Sequence, residues 1–330
     1  MQAPDLPRVA RRIESWFARH QRPLPWRDGY DPYRVWVSEV MLQQTRMEVV
    51  LPYFATFIAR FPTIESLAAA SEHDVMAAWS GLGYYRRARM LRDGARAVVE
   101  RFGGRIPAQA GELQSLPGIG RYTAGAIASV AFNQRAPIVD GNVARVLARL
   151  FGSEDAAWAR AEELVGACKH PRNFNQGLME LGALLCTPRN PSCLVCPVRA
   201  DCATRGDDLP RAKEKKPPRA LNIPLYLITD RRGRVLMRRE SGPLMNAMYH
   251  LPHGTTALFS GQPLDVDAHD LLGSFRHTVT TRRIEFALYR ARMRGRMRKS
   301  AEYVWLDPED LGNIPHPSYV RKAFRLVYGS

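Results

Sequence analysis

Residues 116–126 read LPGIGRYTAGA, and the first five of them lie between two short helical patterns, Gly111–Ser115 and Tyr122–Phe132. Gly118 and Gly120 carry no side chain that would cover the backbone N–H groups of the turn. Those amides stand at the start of the second helix, where the helix dipole also favours negative charge. The turn is therefore suited to bind a phosphate of a DNA backbone. An ordinary tight turn between packed helices is the alternative that this motif alone leaves open.

Helical patterns surround this turn throughout the first two thirds of the chain. Apolar residues recur there at helical spacing and are punctuated by glycine, proline or capping residues. A chain of 330 residues is long enough for two domains with separate cores. The predicted helices span Val35–Arg60, Ser71–Ser80, Arg86–Arg101, Thr123–Phe132, Val143–Leu150 and Ala156–Lys169.

The composition indicates a soluble, globular protein with a polyanionic partner. Lysine and arginine number 48 against 32 aspartates and glutamates, which gives a net charge of +16. Such an excess favours nucleic acid binding, although in other basic proteins it serves solubility alone. No apolar run approaches the ~20 residues of a bilayer-spanning helix, and residues 1–20 lack the apolar segment of an export signal. We expect a cytoplasmic, nucleoid-associated bacterial protein that does not bind membranes.

Four of the five cysteines crowd into one segment: Cys186, Cys193, Cys196 and Cys202. The stretches between them hold six, two and five residues. Disulfides are unexpected in a chain without an export signal, and zinc ribbons usually place two short knuckles far apart. A compact loop with four thiolates favours an iron–sulfur cluster over a structural zinc ion, although the spacing alone leaves both open. Cys168 lies apart and is predicted to be a small, buried apolar side chain.

The last third of the chain has a different composition and a different period. Residues 210–219 (PRAKEKKPPR) hold three prolines and almost no apolar side chain, which is typical of a solvated linker. Beyond them, apolar residues alternate on both sides of the turn Asp230–Gly233, which predicts a β-hairpin. Residues 284–288 alternate like a half-buried strand, and Ser318–Tyr328 has helical spacing. A separate α/β module is therefore predicted.

Several of these motifs together resemble the endonuclease III superfamily of DNA glycosylases. The run LPGIGRYTAGA is similar to its helix–hairpin–helix, DGNVAR at residues 140–145 to its catalytic aspartate segment, and the cysteine spacing to its [4Fe–4S] loop. Within the superfamily, VSEVMLQQT at residues 37–45 and GLGYY at residues 81–85 resemble the MutY family of adenine glycosylases. The likeness covers about residues 8–210 and continues more weakly into a Nudix-like domain.

This resemblance implies a mainly α catalytic domain with a helix–hairpin–helix and an iron–sulfur loop, plus a C-terminal α/β Nudix-like domain. The glycosylase domain is predicted at residues 1–209, with the helix–hairpin–helix at about 112–132 and the cluster loop at 186–202. A linker at 210–220 leads to a domain at 221–330 that recognises the opposite base. The expected cofactor is a [4Fe–4S] cluster. The expected partner is double-stranded DNA in which adenine is mispaired with 8-oxoguanine or guanine, bound by a monomer.

Hydrolysis of the N-glycosidic bond to adenine requires a proton on the leaving base and negative charge near the developing oxocarbenium ion. Glycoside hydrolysis meets a parallel need with one protonated and one ionised carboxyl group. Glu39 lies in a helical pattern among apolar residues, where desolvation raises a carboxyl pKa, and by resemblance it is the general acid at adenine N7. Asp140 precedes a helix start, which predicts an N-cap. By resemblance Asp140 stabilises the cationic transition state, with Tyr122 and Asn142 in support.

Position 122 separates two mechanisms within the superfamily. In the bifunctional, endonuclease III-like members a lysine occupies this position, attacks C1′ and forms a Schiff base. A phenol cannot form that imine. Tyr122 therefore implies a monofunctional glycosylase that uses water.

The resemblance also assigns residues to base extrusion, because a flipped base leaves a gap that a side chain must fill. The residues assigned to the adenine pocket are Arg22, Trp26, Arg27, Leu42 and Glu180. The residues assigned to the duplex beside the opposite base are Gln44, Thr45, Leu82, Tyr84 and Thr280. Gly118 and Gly120 are assigned to a DNA phosphate.

The chain departs from the family at the turn expected to read 8-oxoguanine. The residues at 279–281 are Val-Thr-Thr where the family usually has Phe-Ser-His, and those at 249–252 are Tyr-His-Leu-Pro in place of a Trp-x-Phe-Pro-like signature. Thr280 keeps a hydroxyl group, whereas a phenyl ring and an imidazole are lost. We expect opposite-base discrimination to be weaker or differently arranged.

Two other functions remain open from the sequence. A pyrimidine glycosylase acting on G:T or G:U mismatches would share the superfamily's motifs, but Glu39 within SEVMLQQT and the C-terminal module disfavour it. A non-catalytic DNA-binding or redox-signalling protein would use the same hairpin and cluster. Such a protein would not need both Glu39 and Asp140.

Overall fold

The computed structural model describes residues 4–206, 208–210, 219–242, 245–255, 258–259, 263–279, 282–294 and 302–329. The helices are Leu6–His20 (α1), Pro32–Leu42 (α2), Met47–Arg60 (α3), Ile64–Ala69 (α4), Glu72–Ala78 (α5), Arg86–Phe102 (α6), Ala110–Gln114 (α7), Arg121–Val130 (α8), Gly141–Phe151 (α9), Ala157–Ala167 (α10), Pro171–Glu180 (α11) and Ser318–Tyr328 (α12). The strands are Arg219–Leu227 (β1), Val235–Arg239 (β2), Tyr249–His250 (β3), Val266–Val279 (β4), Arg282–Met293 (β5) and Tyr303–Leu306 (β6).

These elements group into two units, neither of which is one contiguous segment. The first, here the helical unit, comprises Met1–Met47, Thr63–Ala68 and Asp93–Glu214. The second, here the mixed unit, comprises Glu48–Pro62, Ala69–Arg92 and Lys215–Ser330. The units are groups of packed residues, which do not show where an independently folding segment ends. The boundaries at residues 209 and 221 therefore stay a prediction.

The core of the helical unit forms between α1, α9, α10 and α11. Helix α1 begins after Asp5, whose carboxylate accepts the Arg8 N–H at 3.0 Å, and it buries Val9, Ile13 and Phe17 completely. Full burial of such a side chain contributes about 1.5–3 kcal/mol. This packing includes apolar side chains of the other three helices. It therefore fixes α9, which Asp140 caps, and α11, which ends at Glu180.

The quoted turn joins α7 to α8, as predicted. Gly118 has a φ of 77°, which is the left-handed region that favours glycine. Leu113, Leu116 and Ile119 are buried beneath the turn. Helix α8 starts at the capping residue Gly120, so the motif is a hairpin between helices.

The segment predicted as one helix from Val35 to Arg60 forms two helices, so that prediction was wrong. Helix α2 ends at Leu42, and α3 begins at Met47. Between them Gln44 has a φ of 55°, a conformation that helix interiors exclude. The apolar spacing continues through the break, and spacing alone does not show a left-handed residue.

The described residues of the mixed unit form two three-stranded sheets. In the first, β5 lies between β1, to which it is parallel, and β4, to which it is antiparallel. The second has the order β3-β2-β6 with antiparallel pairs. Ile284, Phe286 and Leu288 on β5 are fully buried, which confirms the predicted alternation. Helix α12 confirms the helical spacing of the last segment.

The hairpin predicted around Asp230–Gly233 forms only next to its turn, where Thr229 and Val235 pair antiparallel and the Leu236 N–H donates to the Ile228 carbonyl at 2.9 Å. The Gly233 N–H donates to the Asp230 carbonyl at 3.1 Å. Farther from the turn the two strands belong to different sheets, because β1 pairs with β5 whereas β2 pairs with β3 and β6. Local alternation of apolar residues identifies a strand, but which strand it pairs with depends on residues far away in the sequence. In the described part of the chain, no helix is long and apolar enough to cross a bilayer.

Candidate active site

A carboxyl group and a phenol meet inside the helical unit. Helix α2 buries Glu39, whose side chain faces α8 and is 7% exposed. Tyr122, in the first turn of α8, donates its hydroxyl to Glu39 Oε2 at 3.0 Å. Burial raises the pKa of Glu39 to about 7, even though the hydrogen bond from Tyr122 acts in the opposite direction. Glu39 is therefore able to hold a proton near neutral pH and to release it.

Asp140 is the second carboxyl group of this site. It caps α9, and its Oδ1 accepts the Val143 N–H at 2.7 Å. Burial raises the pKa of Asp140, whereas hydrogen bonds from Val143 and Asn142 stabilise its charged form. Its negative charge also contributes to the raised pKa of Glu39. The two carboxyl groups thus interact, in environments that differ in their hydrogen-bond donors.

Asn142 connects this carboxylate to a buried arginine. Its Oδ1 accepts a hydrogen bond from Arg145 Nη2 at 2.7 Å, and its own groups donate to Asp140. Arg145 also donates to the carbonyls of Gly182 and Cys186, each at 2.7 Å. The close approach of Gly182 to Asn142 leaves no room for a Cβ atom, which would lie 2.8 Å from the Asn142 Cβ.

A second polar cluster in the same unit surrounds Glu180, which is 3% exposed. Its Oε1 accepts hydrogen bonds from Arg27 at 2.6 Å and from Arg22 at 3.4 Å. Arg27 also donates to Gln176 Oε1 at 2.8 Å and lies over the ring of Phe17. Glu180 Oε2 is buried and has no hydrogen-bond partner among the described residues. A buried oxygen of this kind can accept a donor from a ligand.

Two other residues assigned to the adenine pocket are placed less directly. Trp26 is buried, at 5% exposure, in a short helical turn at Pro25–Arg27. Leu42 is the last residue of α2 and is half-buried. Neither residue takes part in the hydrogen bonds that Arg22, Arg27 and Gln176 make around Glu180.

The four clustered cysteines line one cavity, together with apolar residues and Arg149. Arg149 is 2% exposed and donates to Cys186 Sγ at 3.3 Å and to the Thr187 carbonyl at 2.7 Å. No three His, Cys, Asp or Glu side chains in the described ranges are arranged to hold one metal ion. Four thiols around a shared cavity nevertheless fit a multinuclear cluster, which soft thiolate ligands favour. Cys168 is separate and 3% exposed, which confirms its predicted burial.

The residues assigned to the opposite base fall into both units. Gln44 and Thr45 lie in the helical unit, in the turn after α2, whereas Leu82 and Tyr84 lie in the mixed unit. Leu82 is buried, whereas Tyr84 is 45% exposed. Thr280 and its neighbour at 281 lie outside the described residues.

Sequence reasoning missed several side chains that complete the site. Gln176 is 3% exposed and positions Arg27, and Met179 Sδ lies 3.3 Å from the Tyr122 hydroxyl. Arg145 and Arg149 hold the cysteine loop through its carbonyls. The sequence held no signal for these arginines, because Arg145 and Arg149 lie off the apolar face of α9, as solvated charges usually do.

Comparisons with known proteins show which families and folds the chain resembles. A model of the HhH-GPD superfamily of base excision DNA repair proteins matches residues 37–169. The human adenine DNA glycosylase is 48% identical over 209 residues, which cover 58% of this chain and 38% of that protein. The adenine DNA glycosylase of Mycolicibacterium smegmatis is 38% identical over 244 residues, which cover 71% of this chain and 81% of that protein. The chain thus spans about two fifths of the human and rat relatives it matches.

Solved structures show the same fold for the helical part. A thermostable thymine-DNA glycosylase is 31% identical, with a TM-score of 0.56, over 61% of this chain and 96% of that one. A non-covalent endonuclease III–DNA complex has a TM-score of 0.51 at 23% identity, over 60% of this chain and 93% of that one. At 23% identity, the likeness to endonuclease III shows the fold alone.

Proposed function

Since the chain belongs to the adenine DNA glycosylase family, we propose that it hydrolyses the N-glycosidic bond of adenine mispaired with 8-oxoguanine or guanine in duplex DNA. The observation that carries this proposal is the Glu39–Tyr122 pair, in which burial raises the carboxyl pKa to about 7. An acid with this pKa is partly protonated at neutral pH and is therefore suited to protonate a leaving purine.

In this mechanism Glu39 gives its proton to N7 of the extruded adenine. The glycosidic bond then breaks, and its electron pair leaves with the base. Asp140 remains ionised and stabilises the positive charge that develops on the sugar, since it accepts N–H bonds from Val143 and Asn142. Water then adds to C1′ and gives one proton to the Glu39 carboxylate, which restores the acid. Tyr122 holds the Glu39 carboxyl group in place and, as a phenol, forms no imine with C1′.

The cluster around Glu180 supports adenine as the base. Its unpartnered Oε2 is a buried acceptor, and the exocyclic amine of adenine is a donor of the complementary type. The guanidinium of Arg27 neutralises Glu180 through Oε1, which leaves Oε2 available to a base. We assign Arg22, Trp26 and Leu42 to the same pocket.

A cavity in the mixed unit supports recognition of the opposite base. Its volume is about 260 Å³, and Leu82, Tyr84, His277, Thr278 and Tyr319 are among its lining residues. The cavity thus joins the turn that carries Tyr84 to His277 and Thr278 on β4, which precede the altered residues 279–281 in the sequence. We propose that discrimination of 8-oxoguanine from guanine is weaker here than in relatives with Phe-Ser-His.

The four cysteines fit a [4Fe–4S] cluster, and we propose that Cys186, Cys193, Cys196 and Cys202 hold one. A bound cluster would cross-link the loop at its four thiolates, a structural contribution. Arg149 would donate to the ligand sulfur of Cys186, as it does to the thiol. The amides at Gly118 and Gly120 are proposed to contact a DNA phosphate.

Single-turnover excision tests the function. Adenine is placed opposite 8-oxoguanine, guanine, cytosine or thymine, and each duplex is also treated with borohydride to trap any imine. We expect fast release opposite 8-oxoguanine and guanine, no trapped adduct, and a loss of at least about a hundredfold in Glu39→Gln. Retained activity in this variant would contradict the assigned acid, and a trapped adduct would contradict the monofunctional mechanism.

The structural match to a thymine-DNA glycosylase supports one alternative, a pyrimidine mismatch glycosylase. A duplex with thymine opposite guanine therefore belongs in the same experiment. Excision of thymine without excision of adenine would replace the adenine assignment. The Glu180 cluster would then require a different base.

A further inference from the structure

The turn that carries Tyr84 is held in an unusual backbone conformation. Gly81, Gly83 and Tyr84 have φ values of 106°, 74° and 50°. Glycine adopts the left-handed region without a conformational penalty, whereas other residues pay on the order of 1 kcal/mol of conformational free energy. Tyr84 persists in it while its ring is 45% exposed. Neighbouring contacts must therefore stabilise this conformation.

Two side chains of the mixed unit hold the turn by its carbonyl groups. Trp79 Nε1 donates to the Gly83 carbonyl at 3.2 Å. Arg87 Nη2 donates to the same carbonyl at 3.0 Å and to that of Leu82 at 3.4 Å. The backbone N–H of Arg87 also donates to the Tyr84 carbonyl at 2.9 Å. The turn is thus tied to the first turn of α6.

The guanidinium of Arg87 also contacts two aromatic rings. Its central carbon lies 5.4 Å from the Trp79 ring centroid and 5.5 Å from that of Tyr84. Both distances are within the range of a cation–π interaction. Burial lowers the pKa of Arg87 to about 10, so the group stays charged at neutral pH. One planar cation therefore links a buried indole, two carbonyls and the exposed phenol.

We propose that Arg87 is a positioning residue that holds the Tyr84 ring ready to enter the duplex beside the base opposite adenine. This inference rests on the proposed function, because that function gives Tyr84 its place in the duplex. A ring that is fixed before binding loses less conformational entropy when it inserts. The affinity for duplex DNA and the rate of base extrusion should therefore both increase. Arg87 itself touches neither base nor sugar in this arrangement.

The test compares Arg87→Met and Arg87→Lys in wild-type and Tyr84→Ala backgrounds. Arg86→Met is the matched control, since Arg86 is the preceding residue and is exposed. Two readouts are used: affinity for a duplex with an abasic analogue opposite 8-oxoguanine, and fluorescence of 2-aminopurine beside that base, which rises when the stack opens. Thermal unfolding of every variant shows whether it folds.

We expect Arg87→Met to weaken affinity about tenfold and to reduce the fluorescence rise in the wild-type background. In the Tyr84→Ala background the same change is expected to have an effect of less than about twofold, because the ring it positions is absent. Arg87→Lys keeps the charge but loses the planar fork, so it should lie between the wild type and Arg87→Met. Arg86→Met should behave as wild type.

The outcomes separate this inference from the proposed function. If Tyr84→Ala leaves both readouts unchanged, Tyr84 does not insert into the duplex, and the positioning role of Arg87 is overturned as well. If Tyr84→Ala reduces both while Arg87→Met and Arg87→Lys reduce neither, the positioning role alone is overturned. Equal losses from Arg87→Met in both backgrounds would also overturn it, since they would show that Arg87 acts independently of Tyr84. If Arg87→Met fails to fold, Arg87→Lys decides by the same criteria.

Discussion

At the scale of single residues, the proposed chemistry depends on one proton held by Glu39. Burial penalises the charged carboxylate, and the nearby charge of Asp140 adds to that penalty. Tyr122 opposes both effects, because its hydroxyl donates to the carboxylate. The balance raises the pKa of Glu39 to about 7, which is where an acid at neutral pH needs it.

This balance predicts a pH dependence of base excision. The general acid must be protonated, so the single-turnover rate should be constant well below pH 7 and fall about tenfold per pH unit well above it. The hydrogen bond from Tyr122 lowers the Glu39 pKa, so Tyr122→Phe should move the midpoint to higher pH. Rates measured between pH 5.5 and 9 check both expectations. A midpoint that moves to lower pH would refute the role given to the hydroxyl.

The same residue predicts a pH-dependent stability. Because the folded pKa of Glu39 lies near 7, above its ordinary value of 4.5, the folded protein holds more protons than the unfolded chain between these values. Its contribution to the free energy of unfolding is therefore fully present below pH 4.5 and is lost as pH rises towards 7. The loss is on the order of 3 kcal/mol.

Glu39→Gln removes this titration. Its free energy of unfolding, relative to that of wild type, should therefore increase between pH 5 and pH 8 by an amount of that order. Urea unfolding at the two pH values measures it. Glu48→Gln is the control, because Glu48 is exposed at the start of α3. A difference between Glu39→Gln and wild type that does not change with pH would show that Glu39 titrates normally.

At the scale of elements, α9 contacts both the Asp140 carboxyl group of the candidate active site and the cysteine loop. Its first turn is capped by Asp140, and its later turns present Arg145 and Arg149 to the cysteine loop. Both arginines are almost fully buried. A buried guanidinium is tolerated when its donors are matched, and these donors meet carbonyls that would otherwise be unsatisfied.

Arg149→Met is therefore expected to destabilise the protein by about 2 kcal/mol, because the charged, part-buried hydrogen bonds from Arg149 to the carbonyls of Thr187 and Pro188 are lost. Thermal unfolding measures the effect, and iron content per chain reports whether the loop still holds the proposed cluster. Arg11→Met on α1 removes the same charge from an exposed position and should change neither. Unaltered unfolding of Arg149→Met would show that the loop does not depend on this arginine.

At the scale of the whole molecule, we expect the net charge of +16 to govern the proposed association with DNA. Each phosphate contact releases condensed counterions, so the binding constant falls with salt in proportion to the number of contacts. We expect affinity for any duplex to drop by about a hundredfold between 50 and 200 mM salt, which corresponds to about four contacts. Fluorescence anisotropy across this range measures the slope. A drop of less than about threefold would indicate that the charge serves solubility.

Local patterns in the sequence determined much of the helical part. The glycines of the quoted turn predicted a hairpin between helices, which α7 and α8 confirm, and most helix patterns appear with shifted ends. The positions of Glu39, Asp140 and Tyr122 were likewise singled out by their motifs. Such features depend on a few adjacent residues, so they can be predicted from the local sequence.

The tertiary structure alone decided which distant groups meet. Tyr122 reaches Glu39 across 83 positions of the chain, and Arg27 reaches Glu180 across 153. Strand β1 pairs with β5 rather than with its neighbour β2, and Gln176 joins the Glu180 cluster from a helix that the pattern had not predicted. Contacts of this kind, and the burial that raises the Glu39 pKa, arise from packing between elements. A linear pattern holds no information about which face of one element will cover another.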